Sequence, residues 1–95
     1  MALTVIAAYD IPADSRRSRL AARLQRWGDR VQYSVFICRF EDHAELAKML
    51  AEAETIIDPA TDSLVIFRQC STCWESHLSL GQEDIRPPTL YWAAL

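Results

Sequence analysis

Lysine and glycine are almost missing from this chain, with one of the first and two of the second in 95 residues. So little glycine, with four prolines and 51% hydrophobic residues, excludes a low-complexity or disordered polypeptide and leaves a folded domain. Long apolar runs are lacking too. Met1–Tyr9 is as long a stretch without charge as the sequence offers, far short of the roughly 20 residues a membrane helix needs. It also has no basic flank of the kind that opens a secretory leader. Cysteine is scarce and odd in number, at three, which argues against a disulfide framework and for a reducing, cytoplasmic setting.

What is present is a lopsided charge. Between Arg16 and Arg39 stand seven arginines against one acid, Asp29, a local balance of +6; the remainder of the chain carries −9, and the whole −3. Arginine stays charged when partly buried and grips phosphate through two parallel hydrogen bonds. The asymmetry therefore points to an acidic ligand that the net charge alone would hide. The size points to self-association. A domain of this length buries only roughly two-thirds of the surface its unfolded chain exposes, and the apolar content exceeds what one small core hides. A homodimer is expected.

The hydrophobic pattern gives alternating elements. Leu3–Tyr9 is apolar on both faces and reads as a central strand. Pro12 and Asp14-Ser15 form a turn and an N-cap for a helix from about Ser15 to Trp27, its apolar stripe Leu20, Ala21, Leu24 and Trp27, with Gly28 as its terminator. A long strand follows from about Arg30 to Phe40, with a break near Ser34. A second helix opens at Asp42 with Glu45 completing a capping box, and buries Leu46, Met49, Leu50 and Ala53. "SLVIF", residues 63–67, is a further strand, and "TLYW" a short one after the prolines at 87 and 88. The order β-α-β-α-β, with its second strand split, is that of an α+β ferredoxin-like sandwich, two helices on one face of an antiparallel sheet. We expect one domain over 1–95, with a core of about 1–80 and a dimer-docking segment of about 86–95.

Within that frame, Arg16, Arg19, Arg23, Arg26 and Arg30 recur at intervals of 3 and 4, the spacing that keeps side chains on one helix face. With Arg17 they are the candidate nucleic-acid-binding residues; the plain alternative is a solvated basic face. Asp10, at the tip of the first strand, is either the cap of the turn it opens or a metal ligand. Mg²⁺ is often held by only one or two protein carboxylates, phosphate oxygens and water filling the rest. One Asp10 is a poor site, but two, brought together across a two-fold axis, make a credible one.

Residues 9–40, "YDIPADSRRSRLAARLQRWGDRVQYSVFICRF", resemble the signature half of the small CRISPR-associated adaptation proteins, the Cas-two family. The matching features are Tyr-Asp-Ile at the strand end, paired arginines opening an amphipathic helix, Gly28, and "RVQYSVF". The resemblance implies a ferredoxin-like homodimer whose C-terminal strand crosses to the partner's sheet. It also implies catalysis at Asp10, with Mg²⁺ or Mn²⁺ held by Asp10 of both chains, and cleavage of phosphodiester bonds in single-stranded RNA or double-stranded DNA. Tyr9, Ser34 and Phe36 then become candidates for positioning substrate, Phe36 by stacking on a base, with strand packing as its other reading. The same family supplies an alternative role: a non-catalytic DNA-binding dimer that bridges integrase dimers during spacer acquisition. Ile37 departs from the family's acidic or small residue after "SVF", which removes that position from any polar site.

"CSTC", Cys70–Cys73, is too small a set for structural zinc unless Cys38, His43 or His77 join it. Without a helix N-terminus behind it, it reads as two semi-buried thiols. Trp27, Trp74 and Trp92 read as core and interface residues.

Overall fold

The computed structural model describes residues 2–81. The expected docking segment at 86–95, the strand at "TLYW", Trp92 and the exchange of a C-terminal strand all lie outside these residues. Within them the elements are β1 (Leu3–Asp10), α1 (Asp14–Leu24), β2 (Gly28–Gln32), β3 (Val35–Phe40), α2 (His43–Glu54), β4 (Ser63–Gln69) and α3 (Ser71–Glu75). The four strands form one antiparallel sheet in the order β2-β3-β1-β4. No helix among the described residues is long and apolar enough to cross a membrane.

Alternation decides which side of the sheet is covered. Val5, Ala7 and Tyr9 of β1 and Phe36, Cys38 and Phe40 of β3 point to the helices and are buried with Leu20, Ala21 and Leu24 of α1 and Met49 and Ala53 of α2. The other face carries Ile6 and Ala8 beside Val35, Ile37, Val65 and Phe67. Val65 and Phe67 there are 45% and 53% exposed.

The second strand breaks where a break was expected. Tyr33 and Ser34 form the turn between β2 and β3, with a register shift between Arg30 and Gln32. The Asp42 cap also forms, Oδ1 accepting from Glu45 N at 3.0 Å, while Glu45 Oε1 reaches back one residue beyond the box and accepts from Glu41 N at 2.6 Å.

Five readings need correction. Helix α1 ends at Leu24 instead of Trp27, so Arg26 lies in the turn beyond it and Arg30 in β2. Its N-cap is Ala13, which makes no side-chain cap bond, while Asp14 sits in the first turn. Leu50 is 37% exposed, because α2 turns its Leu46, Met49 and Ala53 stripe inward and leaves Leu50 at the outer margin. Gly28 is no helix terminator. It begins β2, and a Cβ built on it would lie 1.8 Å from the Ile37 carbonyl oxygen and 2.7 Å from Cys38 Cα, so its bare backbone permits the close approach of β2 to β3. Cys70 and Cys73 are exposed, not semi-buried, and Cys70 caps a short helix.

Candidate nucleic-acid interface

Asp10 is the last residue of β1, paired in register with Ser63 of β4 and exposed. Among the described residues its carboxylate has no hydrogen-bond or ion-pair partner, so it does not cap the turn that follows. That turn is held by others. Arg17 donates from one guanidinium nitrogen to the carbonyls of Ile11 at 2.9 Å and Pro12 at 3.4 Å, pairs with Asp14, and lies 5.8 Å from the centre of the Tyr33 ring. Arg16 reaches in the opposite direction. Its Nε and Nη2 bind the two oxygens of Asp62 at 2.7 and 3.1 Å, and Nη2 also meets Thr61 Oγ1 at 3.3 Å.

The Asp62 side chain is wholly removed from solvent. It accepts in addition from the backbone N–H of Asp58 at 2.8 Å and from the Thr61 hydroxyl at 3.0 Å. Arg16 above all, with these donors, lowers its pKa from 3.8 to about 2, against the opposing effect of burial. Both neighbourhoods of Asp10 are therefore fixed: Arg17 clamps the two residues after it, and Arg16 clamps the residue before its cross-strand partner.

Two guanidinium groups at the helix entrance thus hold the protein itself. In this structure the Arg16 and Arg17 guanidinium groups, expected to meet phosphate, are engaged by protein oxygens. Arg23 and Arg26 share Glu52 of α2, at 3.6 and 3.4 Å, with their side chains 45% and 58% exposed. Arg19 is exposed and has no ion-pair partner among the described residues. With Ala22 these three line a shallow cleft of about 300 Å³. Arg30 projects from β2 with its guanidinium carbon 5.3 Å from the centre of the Phe36 ring. A second cleft, of about 280 Å³, is walled by Arg30, Arg17, Ser18, Asp14, Tyr9 and Tyr33.

The candidate positioning residues divide. Tyr9 is 5% exposed, and its hydroxyl donates to the Tyr33 carbonyl at 3.4 Å, so it braces the β2–β3 turn. Phe36 is fully buried, 6.3 Å from the Tyr9 ring, which leaves the packing reading and removes base stacking. Ser34 is half-buried, and its carbonyl accepts the Tyr9 N–H at 3.0 Å. Beside these residues the exposed aromatic is Tyr33, at 68%. Neither Tyr33 nor Asp62 was picked out from the sequence. Tyr33 sits in the motif "YSVF", where a turn would have shown it outward-facing; Asp62, 46 positions from its partner, gives no local signal.

Among the described residues no three His, Cys, Asp or Glu side chains gather as a metal site. Asp10 offers one unengaged carboxylate, which fits a divalent cation only as half of a site completed by a second carboxylate or by phosphate.

A four-stranded antiparallel sheet with two helices on one face, a free acid ending an inner strand and arginines around it define a ferredoxin-like α+β protein with a candidate phosphate-binding surface. Residues 2–77 match the family CRISPR associated protein Cas2. Over 84 residues the chain is 34% identical to CRISPR-associated endoribonuclease Cas2 4 of Rhodospirillum rubrum, covering 88% of this chain and 67% of that one. Its fold superposes with a TM-score of 0.80 on the hypothetical protein TT1823 from Thermus thermophilus, at 33% identity over 90% of this chain and 98% of that one. A chain of a partial Cas6-RT-Cas1–Cas2 complex shares the fold, at TM-score 0.76 and 19% identity over 90% and 94% of the two chains. This chain belongs to the Cas2 family.

Proposed function

We propose that the protein acts in CRISPR adaptation and antiviral defence as a homodimeric endonuclease, cleaving phosphodiester bonds of single-stranded RNA or double-stranded DNA. The observation that carries this reading is Asp10: an exposed carboxylate without a partner, on backbone pinned from both sides by Arg16 and Arg17. Rigid presentation of an unengaged acid is what a site needs if its ligand is to arrive from outside. The open sheet face, with Val65 and Phe67 exposed beside Ile6 and Ile37, supports pairing with a second copy.

Asp10 of each protomer would hold Mg²⁺ or Mn²⁺, the cation relieving the repulsion between two neighbouring carboxylates. When bound, a divalent cation polarises the scissile phosphate and acidifies an attacking water. This chain's own residues bind and orient the strand. Arg19 and Arg30, with Arg23 and Arg26, meet phosphates, and Arg16 and Arg17 act as positioning residues. Tyr33 lies where an unstacked base would rest.

A second reading is favoured by the internal use of Arg16 and Arg17, which leaves fewer guanidinium groups to stabilise a transition state. In it the dimer binds DNA as a scaffold for the CRISPR integrase, as the adaptation role also requires.

A cleavage assay on RNA and on duplex DNA, with and without Mg²⁺, separates them when run on Asp10→Asn and Phe67→Asp. Both variants should lose cleavage; Asp10→Asn should remain dimeric and melt like the parent, whereas Phe67→Asp should sediment as a monomer. Cleavage undiminished in Asp10→Asn defeats the nuclease reading and leaves the scaffold.

A further inference from the structure

The motif "CSTC" lies away from Asp10 and the arginines, and the function above does not use it. Strand β4 ends at Gln69, and Cys70 follows as the N-cap of α3, in extended backbone with φ −80° and ψ 166°. Cys70 Sγ accepts the backbone N–H of Cys73 at 3.3 Å, so one turn of backbone brings the two cysteines together. Both cysteines are exposed. The third is a contrast: Cys38 is buried beneath the Leu24 carbonyl, and burial pushes its thiol up to about 12.

From this juxtaposition of two accessible sulfurs we infer that Cys70 and Cys73 form a reversible dithiol–disulfide pair, with Cys70 the attacking thiol and small-molecule disulfides its oxidants. The donors around Cys70 favour its thiolate and lower its pKa, first among them the Cys73 N–H, while the neighbouring sulfur raises that of Cys73. The N–H donated to Cys70 Sγ at the N-cap, for which Cys73 has no counterpart among the described residues, assigns the order of attack. The Cys70 thiolate attacks one sulfur of the small disulfide, giving a mixed disulfide and expelling one thiolate. Cys73 loses its proton and attacks the Cys70 sulfur, closing the protein disulfide and expelling the second thiolate. Two protein thiols are oxidised, one disulfide is reduced to two thiols, and the two protons from the protein pass to the thiolates released. Closure replaces a hydrogen-bonded cap of α3 with a covalent one, directly before the buried Trp74.

The test incubates the native full chain in glutathione redox buffers of increasing oxidised fraction, traps free thiols by alkylation, and reads intact mass and migration on non-reducing gels. The parent should lose two alkylatable thiols together, as a monomeric chain two hydrogens lighter, and regain both on reduction. Cys73→Ser should stop at a stable glutathione adduct on Cys70, and Cys38→Ser should behave as the parent. Two thiols that stay alkylatable throughout, or oxidation found only as cross-linked chains, overturns the pair. A glutathione adduct that accumulates faster on Cys73 in Cys70→Ser than on Cys70 in Cys73→Ser overturns the assignment of the attacking thiol.

Discussion

Gly28→Ala tests the fold at the point where sequence and structure part. A new Cβ would stand 1.8 Å from the Ile37 oxygen, and the atoms it meets belong to backbone, which cannot swing aside. Ordinary contact needs about 3.4 Å, so β2 must retreat from β3 by about 1.6 Å at this rung. The adjoining bond from Arg39 N to the Trp27 carbonyl, 2.9 Å long, cannot survive such a shift. Trp27 would also draw back from Phe40, whose ring centre is 5.1 Å from its own. A lost backbone bond costs about 1 kcal/mol, a weakened aromatic pair about 0.5 kcal/mol or more, and forced displacement of packed backbone about 1–3 kcal/mol. The sum is about 3 kcal/mol, a large part of the stability of a small domain. At about 4–8 °C per kcal/mol for a chain of this size, Tm should fall by about 12–24 °C in thermal unfolding followed by circular dichroism. Gly81→Ala is the control: it has φ +87° but nothing within 4 Å, so its cost is confined to about 1 kcal/mol of backbone strain. A Gly28→Ala melt within about 3 °C of the parent would refute the close-approach argument.

Two further outcomes follow from the arginines. In duplex DNA binding measured against salt, Arg19→Ala and Arg30→Ala should each flatten the slope of log affinity on log salt by about 0.9 for every phosphate contact removed. Arg16→Ala should leave that slope unchanged and lower Tm instead, because its partner is Asp62. The pH dependence has a definite sign. The Asp62 pKa is depressed on folding from 3.8 to about 2, so its contribution is present above pH 4 and drains away as pH falls toward 2. Urea midpoints measured across that interval should decline less steeply in Asp62→Asn than in the parent.

Local signals were legible. The Asp42 cap of α2, the break near Ser34 and the strand at "SLVIF" are written in neighbouring residues and formed as read. The arginine row misled because its period continues past the helix: Arg26 and Arg30 keep the spacing after α1 has stopped at Leu24. Periodicity records where side chains would lie on a helix; it cannot say where the helix ends. The use of Arg16 was illegible for a different reason. Its partner Asp62 sits in "DPATD", a stretch whose composition says turn and nothing more, and only the pairing of β1 with β4 brings the two together.

That pairing has a kinetic side. Strand β1 lies between β3 and β4, and both are made after it: Ala8 meets Val35 on one side and Val65 on the other, Thr4 meets Arg39 and Gln69. Nearly every rung of the sheet's centre therefore closes a loop of tens of residues, whose entropy must be lost before any contact repays it. During synthesis the apolar "LTVIAAY" waits without a neighbour until β3 has left the ribosome, and with one edge open until β4 has followed. Slow refolding and capture by chaperones or by other unpaired strands are the consequences for a chain built from its middle outward.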